Sequence, residues 1–413
     1  MSNASVATAI VKRLQQAGHI AYFAGGWVRD LVMNHPSDDI DIATTASIET
    51  IQQLFPKTIP VGVAFGIVIV VEEGYQFEVA MFRKDRDYFD GRRPAGFDPA
   101  TPEEDALRRD FTINGMFYDP LTKTIFDYTF GKQDIAAKKI RAIGDPHARF
   151  REDRLRMMRA VRYATRFGFT IEDSTRKAIL DHAETLLPAV AMERIWQEFK
   201  KMSYFAHFDE GLAELQRLKL LSTIFPQLRG IPPGEVEKRL APVELFPKDA
   251  PAIAELLEIF PQSSLHEWLE ICDYLKLSKE EKDFTRKLHT CFELLKMPLD
   301  WQANLEPIEW VRFYADEQAD LCLSIYAARL PLHEQEFFFE THNVRKKALW
   351  RFIERIRRST PIITSQDLVQ AGVSPGPTMG KLLKEAERLA ANFDLENKDD
   401  LLRLLRNSAL WNR

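Results

Sequence analysis

The chain lacks most of the features that mark common chemistries outright. Its three cysteines, Cys272, Cys291 and Cys322, lie far apart with no Cys-x-x-Cys or Cys/His spacing. That excludes a disulfide framework and a zinc pattern, and they read as reduced core residues of a cytoplasmic protein. No window reaches 18 uninterrupted apolar residues and Met1 to Arg13 carries no apolar signal core, so neither membrane spanning nor secretion is expected. There is no Gly-x-x-x-x-Gly-Lys-Ser/Thr run, so any phosphate is held by something other than a P-loop. No Ser, Cys or His nucleophile constellation stands out. An excess of positive charge is missing as well: 56 Lys and Arg against 61 Asp and Glu leave a net charge of −5. A nucleic acid would have to be held by local basic patches rather than overall charge.

What is present is ample apolar material and two motifs close together. With 413 residues, 45% hydrophobic and 11% aromatic, the chain should be globular throughout, in about two to four modules. No internal repeat or low-complexity tract interrupts it. Gly25-Gly26-Trp27-Val28-Arg29-Asp30 follows a strand-like run from Ile20 to Phe23. Paired glycines let backbone amides approach an anion, and Arg29 can add a charge-assisted fork. Val28 to Met33 reads as a short helix whose N-terminus would face that anion. Asp39-Ile40-Asp41 then opens a second strand, Ile40 to Ala43. Residues i and i+2 share a face, so Asp39 and Asp41 would point together, roughly 6 to 7 Å apart at Cα. Such a pair suits oxygen-ligated Mg²⁺, two ions about 3.5–4 Å apart.

Further along, Ser47 to Phe55 reads as a capped helix, and Gly66–Glu72 with Tyr75–Arg83 as a hairpin turning at Glu73-Gly74. In the second hairpin strand Phe77, Val79 and Met81 share one face and Glu78 takes the other. If that strand lies beside the Asp39/Asp41 strand, Glu78 becomes a third carboxylate. Lys84 to Glu104 is a long polar loop whose Arg86, Arg92, Arg93, Tyr88, Phe89 and Phe97 favour an element that touches substrate. Arg108-Arg109-Asp110-Phe111-Thr112-Ile113-Asn114 closes it, with polar ends able to read a ribose.

Beyond about residue 148 strand signals nearly vanish. Phe150 to Arg162 reads as one helix in which Asp153, Arg156, Arg159 and Arg162 step at i, i+3 along one surface. Asp153 accepts and Arg156 donates, so the pair can mimic a base-pairing edge. Cytosine and adenine, with an amino donor next to a ring-nitrogen acceptor, match it; guanine and uracil leave groups unpaired at a cost of about 1–3 kcal/mol each. Glu193 to Lys201 reads as a packing helix. Helices with Pro-bearing breaks continue to the end. Lys346, Lys347, Arg351 and Arg355, interleaved with Trp350 and Phe352, form a candidate polyphosphate face, although charge runs are ordinarily just solvated. Gly376 and Lys381 open a late helix that could hold an RNA phosphate.

These residues together suggest nucleotidyl transfer, and their order resembles a known family. Gly25-Gly26-x-Val28-Arg29-Asp30, Asp39-x-Asp41, Arg108-Arg109-Asp110 with Asn114, and Glu152-Asp153-x-x-Arg156 are similar to the motifs of class II tRNA nucleotidyltransferases and bacterial poly(A) polymerases, over about residues 20–225. A weaker likeness covers Pro361 through Lys381. The resemblance implies an α+β chain: a nucleotidyltransferase head of mixed or antiparallel sheet with helices, residues 1–145, then an all-α neck, 146–225, body, 226–340, and tail, 341–413. It implies two Mg²⁺ ions on Asp39 and Asp41 with Glu78 as third carboxylate. Gly25, Gly26, Arg29, Asp30, Arg109, Asp110, Asn114, Asp153, Arg156, Arg159 and Arg162 would be nucleotide-binding. The substrates would be CTP, ATP and the 3′ end of tRNA, with no membrane and no protein partner required. Gly115-Met116-Phe117 departs from the small residues more usual after Asn114, a question of packing rather than catalysis. No His-Asp phosphohydrolase pair is present, since Asp181-His182 is in the wrong order. The intact loop before Arg108 favours competence for A addition. An enzyme that adds only A, or a poly(A) polymerase, shares the motifs.

Overall fold

The computed structural model describes residues 2–35, 37–62, 65–86, 96–261, 263–296 and 305–411. The loop residues Tyr88, Phe89, Arg92 and Arg93 lie outside the described residues. The chain divides into two compact units, Met1–Lys238 and Arg239–Arg413.

The first unit begins with helix α1 (Asn3–Gln16), started by the Ser2 side chain, which accepts from the Ser5 amide. Its apolar stripe of Val6, Ile10, Val11 and Leu14 is fully buried. Then come β1 (Ala21–Ala24), α2 (Gly26–Val32), β2 (Asp41–Thr44), α3 (Ile48–Leu54), β3 (Thr58–Ile59), β4 (Ile67–Glu72) and β5 (Tyr75–Met81). Ser47 caps α3 as the sequence suggests, accepting from the Thr50 amide. A two-stranded ribbon, β6 (Arg83–Asp85) with β7 (Phe97–Pro99), precedes α4 (Pro102–Leu107), β8 (Met116–Asp119), β9 (Thr124–Asp127), α5 (Gly131–Ala136) and β10 (Lys139–Ile140). One mixed sheet runs in the order β3-β4-β5-β2-β1-β8-β9. Only β2 and β5 pair in parallel within it, Ile42 opposite Val79. The hairpin β4–β5 turns at Glu73-Gly74, both with positive φ.

Strand alternation sorts the sheet's two faces. Phe23, Ile42, Val68, Val70, Phe77 and Val79 face one way, under α1 and α3, and make the larger core. Ala24, Ala43, Phe82, Ala106 and Phe117, joined by Tyr22, Phe126 and Tyr128, form a smaller cluster on the opposite side. Residues that alternate with the large core, Asp41 and Glu78 among them, belong to this second face.

Helices follow: α6 (Pro146–Glu152), α7 (Leu155–Phe167), a short strand β11 (Thr170–Ile171) parallel to β10, α8 (Asp173–His182) and α9 (Met192–Ser203). The single helix expected over Phe150–Arg162 is in fact two. Asp153 leaves the helical region at φ −145° and ψ 106°, and its carboxylate accepts from the Leu155 amide, starting the second helix. Among the described residues every strand precedes residue 172, so the second unit is helical. Its longest element, Leu332–Arg357, is a 26-residue helix. It crosses 340/341 unbroken, so the expected body and tail have no linker there; the expected neck–body boundary at 225/226 likewise falls inside the first unit. Cys272, Cys291 and Cys322 are buried free thiols. No helix among the described residues is long and apolar enough to cross a membrane.

Candidate active site

The acids come together through strand order rather than sequence distance. Register places Asp41 opposite Ala24, the last residue before the glycine pair. The parallel β2–β5 pairing carries Glu78 to the position beside it. The strand begins at Asp41, not earlier, so Asp39 sits just ahead of it in extended, exposed chain. Asp41 is half-buried and Glu78 exposed. Burial, then repulsion from Asp39 and from Glu78, pushes the Asp41 carboxyl up to about 6, with Arg109 pulling the other way. This is a pocket of surplus negative charge. Among the described residues no three acidic, His or Cys side chains are gathered as a metal-holding group, while Glu78 stands close enough to Asp41 for its charge to raise that carboxyl. Two carboxylate donors nevertheless fit Mg²⁺, which is usually held by one or two carboxylates together with substrate phosphates.

Gly25 turns β1 into α2 with φ +63°, a conformation that favours glycine, and a β-carbon there would lie 2.8 Å from an Nη of Arg109. Its amide donates to the Met116 carbonyl. Arg109 is held from behind: its Nε and Nη2 donate to buried Asp105 at 3.1 and 2.9 Å, and its guanidinium lies 4.8 Å from the Phe117 ring. It therefore stands between the glycine turn and the acids. α2 starts at Gly26 rather than Val28, so the glycines are its cap and first residue.

Arg29 does not point out toward an anion, as its place in the motif suggests. It is buried, with Nε donating to Asp30 at 2.9 Å and Nη1 to the Asn114 amide oxygen at 2.7 Å. Asn114 in turn donates to Asp110, and Asp110 takes both Nε and Nη2 of Arg159 on one oxygen, at 2.8 and 2.5 Å. Burial would raise the Asp110 carboxyl, but Arg159 and Asn114 hold it well below the usual carboxylate range. The ring of Tyr163 is flanked by Arg29, Arg159 and Arg162, at 5.4, 5.5 and 4.3 Å. Arg166 reaches Asp30 at 3.5 Å. The glycine motif, the Asp110 turn and α7 are thus one hydrogen-bonded assembly. Asp153 and Arg156 do not bind each other's side chains. Asp153 is gripped by Arg194 at 3.0 Å, and Arg156 by Glu152 at 2.5 Å and the Arg149 carbonyl at 3.1 Å.

Comparison with known proteins adds a second line of observation. Residues 21–141 match the family described as "Poly A polymerase head domain", and residues 168–231 match "Probable RNA and SrmB- binding site of polymerase A". A CCA-adding enzyme of Pediococcus pentosaceus is 33% identical over 401 residues, covering 95% of this chain and 94% of that protein. One from Bacillus mycoides is 33% identical over 404 residues, 96% of each. The chain belongs to the class II CCA-adding enzyme and poly(A) polymerase family. A CCA-adding enzyme structure from Bacillus stearothermophilus, in complex with CTP, shares the fold over 98% of both chains with a TM-score of 0.79 and 29% identity. One from Thermotoga maritima, complexed with tRNA, has a TM-score of 0.67 at 20% identity and speaks for the fold alone.

Several residues of this family member escaped the sequence reading. Glu198 is buried against Arg162, its Oε2 accepting from Nε at 2.5 Å, and Arg194 one turn earlier orients Asp153. A signal existed: Glu198 falls inside the buried stripe of Ile195, Phe199 and Met202, where a lone carboxylate needs a partner. Asp105 was missed too, and its role appears only once α4 brings it against both Arg108 and Arg109. The Gly115-Met116-Phe117 departure is resolved by packing: Met116 and Phe117 are fully buried, and a β-carbon at Gly115 would collide with Thr129. The expected RNA face is largely committed elsewhere in its own unit. Lys346 pairs with Asp320, Arg351 with Asp394 and Glu396, and Arg355 donates to the Thr360 carbonyl. Lys347 and Lys381 are exposed, and Gly376 caps the helix Pro377–Asn392 with open space where a side chain would be.

Proposed function

We propose that this chain is a template-independent nucleotidyltransferase that adds C and A to the 3′ end of tRNA from CTP and ATP. The relatives it matches along nearly its whole length are CCA-adding enzymes. The observation that carries the chemistry is the parallel β2–β5 pairing, which sets Glu78 beside Asp41, itself opposite Ala24 at the glycine turn.

In this reading the RNA 3′-hydroxyl attacks the α-phosphate of the bound nucleotide, a new O–P bond forms, and the bond to pyrophosphate breaks. Asp39 and Asp41 would hold Mg²⁺, two ions being expected, and the chemistry such ions supply is hydroxyl activation and charge neutralisation at the leaving pyrophosphate. Gly25 admits the triphosphate close to the backbone, and Arg109, fixed by Asp105, supplies positive charge next to it. Asp153 and Arg156 read the base, each held at its angle by Arg194 and Glu152 rather than by the other. Arg29, Asp30, Asp110, Asn114, Arg159 and Arg162 keep the glycine turn and α7 in register, and so act on the nucleotide through position. Residues 1–145 serve as head, 146–225 as neck, and 226–340 and 341–413 as body and tail. Gly376 and Lys381 are the tail residues proposed to meet RNA.

The test is incubation with transcripts ending at the discriminator base, ending in CC, and an unrelated RNA, with each NTP alone and with CTP plus ATP. Addition of C, C and A to the first transcript is the expected result. Addition of A alone, and only to the CC transcript, identifies an A-adding enzyme; long A tails on any RNA identify a poly(A) polymerase.

A further inference from the structure

We propose that the second unit holds a binding site for a medium-chain fatty carboxylate, with the hydrocarbon tail in an apolar cavity and the head group on Arg355. The helices Pro307–Ala315, Leu332–Arg357, Pro377–Asn392 and Lys398–Arg406 pack around a cavity of about 340 Å³, with exposed Ser359 and Pro361 at its rim. Its floor is apolar: Ile308, Val311, Phe352, Ile363, Ala386 and Leu401 line it and all are buried. The space exists because Ala386 and Ala390, one turn apart, meet it with methyl groups where longer side chains would close it. Protein interiors seldom leave voids larger than a water molecule, and this volume falls in the range of small-ligand sites, about 300–1,000 Å³.

Charge decides the head group. Among the described residues the polar side chains lining the cavity are Arg355, Ser359 and Glu387. Glu387 is already neutralised, one of its oxygens accepting from Nε and Nη2 of Arg312 at 3.2 and 2.9 Å. Arg355 is not. The single hydrogen bond of its guanidinium among the described residues is a long one, 3.4 Å to the Thr360 carbonyl, and it has no ion pair among them. The end of its helix carries Arg355, Arg357 and Arg358 against Glu354, which pairs with the latter two, so positive charge is left over at the rim. A planar guanidinium takes a carboxylate on two parallel N–H bonds, and the Ser359 hydroxyl is a further donor on the same rim. A cationic amphiphile would meet Arg355 with like charge. RNA brings phosphates without a hydrocarbon tail and would leave the apolar floor empty.

The test is isothermal titration calorimetry of the full chain with sodium decanoate below its micelle concentration, against octanoate, acetate and decylammonium, with far-UV spectra confirming the fold of each variant. One decanoate per chain is expected, with a dissociation constant on the order of 100 µM. Octanoate, two methylenes shorter, should bind roughly tenfold more weakly, and acetate and decylammonium more weakly still. Arg355→Gln, at the rim, should weaken decanoate at least about tenfold and erase its preference over decylammonium. Ala386→Leu should weaken both fatty acids by occupying the space they need. Heat that never saturates, equal affinity for octanoate and decanoate, or decylammonium bound as tightly as decanoate overturns the proposal. So does an Arg355→Gln chain that binds decanoate as wild type does; if that variant has lost tRNA affinity instead, the side chain is assigned to RNA.

Discussion

Asp41 and Asp110 belong to the same compact unit and live under opposite electrostatic conditions. Asp41 sits among like charges, and burial together with Asp39 and Glu78 lifts its carboxyl to about 6. Asp110 is more deeply enclosed, yet Arg159 and Asn114 drive its carboxyl the other way. The acid strand is left electrostatically unfinished, which costs stability and creates affinity for cations. The Asp110 carboxylate is balanced internally, by Arg159 and Asn114. On the proposed function such a site would divide its labour, with exposed, unbalanced groups for binding and buried, balanced ones to fix their positions.

The sharpest way to break that contrast is to remove one acid from each side. Asp41→Ala should lower nucleotide transfer by about 10³-fold or more while leaving the denaturant midpoint unchanged or slightly raised, since it deletes a repelled charge. A variant that keeps a tenth of the activity, or unfolds markedly more easily, would put Asp41 on the structural side. Asp110→Asn should do the reverse, costing about 2–4 kcal/mol in urea unfolding because Arg159 loses its carboxylate.

Gly25→Ala tests the boundary between the two regions. Its β-carbon would lie 2.8 Å from Arg109 at a φ of +63°, so strain of about 1–2 kcal/mol and a roughly tenfold rise in KM for CTP are expected. Arg156→Ala should leave turnover measurable and chiefly reduce the preference for CTP and ATP over GTP and UTP, by about tenfold, in line with one unpaired edge. Strict C and A selection in that variant would refute the pairing-edge argument. The smallest effect is expected from Glu172→Gln, at the start of α8. Burial raises the Glu172 carboxyl, but hydrogen bonds from Ser174 and Thr175 outweigh it and bring it down to about 2. A carboxylate with a depressed folded value gives its full stabilisation above its unfolded value, about 4.3, and loses it as pH falls toward about 2. Wild type and Glu172→Gln should therefore differ by about 1 kcal/mol at neutral pH, a typical cap contribution, and converge in urea titrations near pH 2.

The reading from residues alone was strong where local chemistry decides and weak where a distant partner does. Alternation placed Glu78 opposite Phe77 and Val79, Glu73-Gly74 announced the hairpin, and Ser47 announced its helix. Each depends on neighbours within a few positions. Arg29 looked like an anion ligand because nothing nearby reveals Asn114, 85 positions on, as its acceptor. The break at Asp153 was hidden for a related reason: apolar spacing runs on through the joint, while Arg194, 41 positions away, helps hold the carboxylate there. The basic run from Lys346 to Arg355 looked free because Asp320, Asp394 and Glu396 are remote in sequence.

The parallel pairing of β2 with β5 also has a consequence for how the molecule is made. Parallel neighbours need a crossover, supplied here by α3, β3 and β4, so Asp41 and Glu78 cannot become neighbours until the whole of that segment has been synthesised and has closed on itself. A nascent chain that has emerged only as far as Ser47 carries both aspartates but not the strand that flanks them. The repelling acids are then free to stay apart in water, and their crowding is imposed late, by a non-local contact, when most of the large core under α1 and α3 is available to hold it.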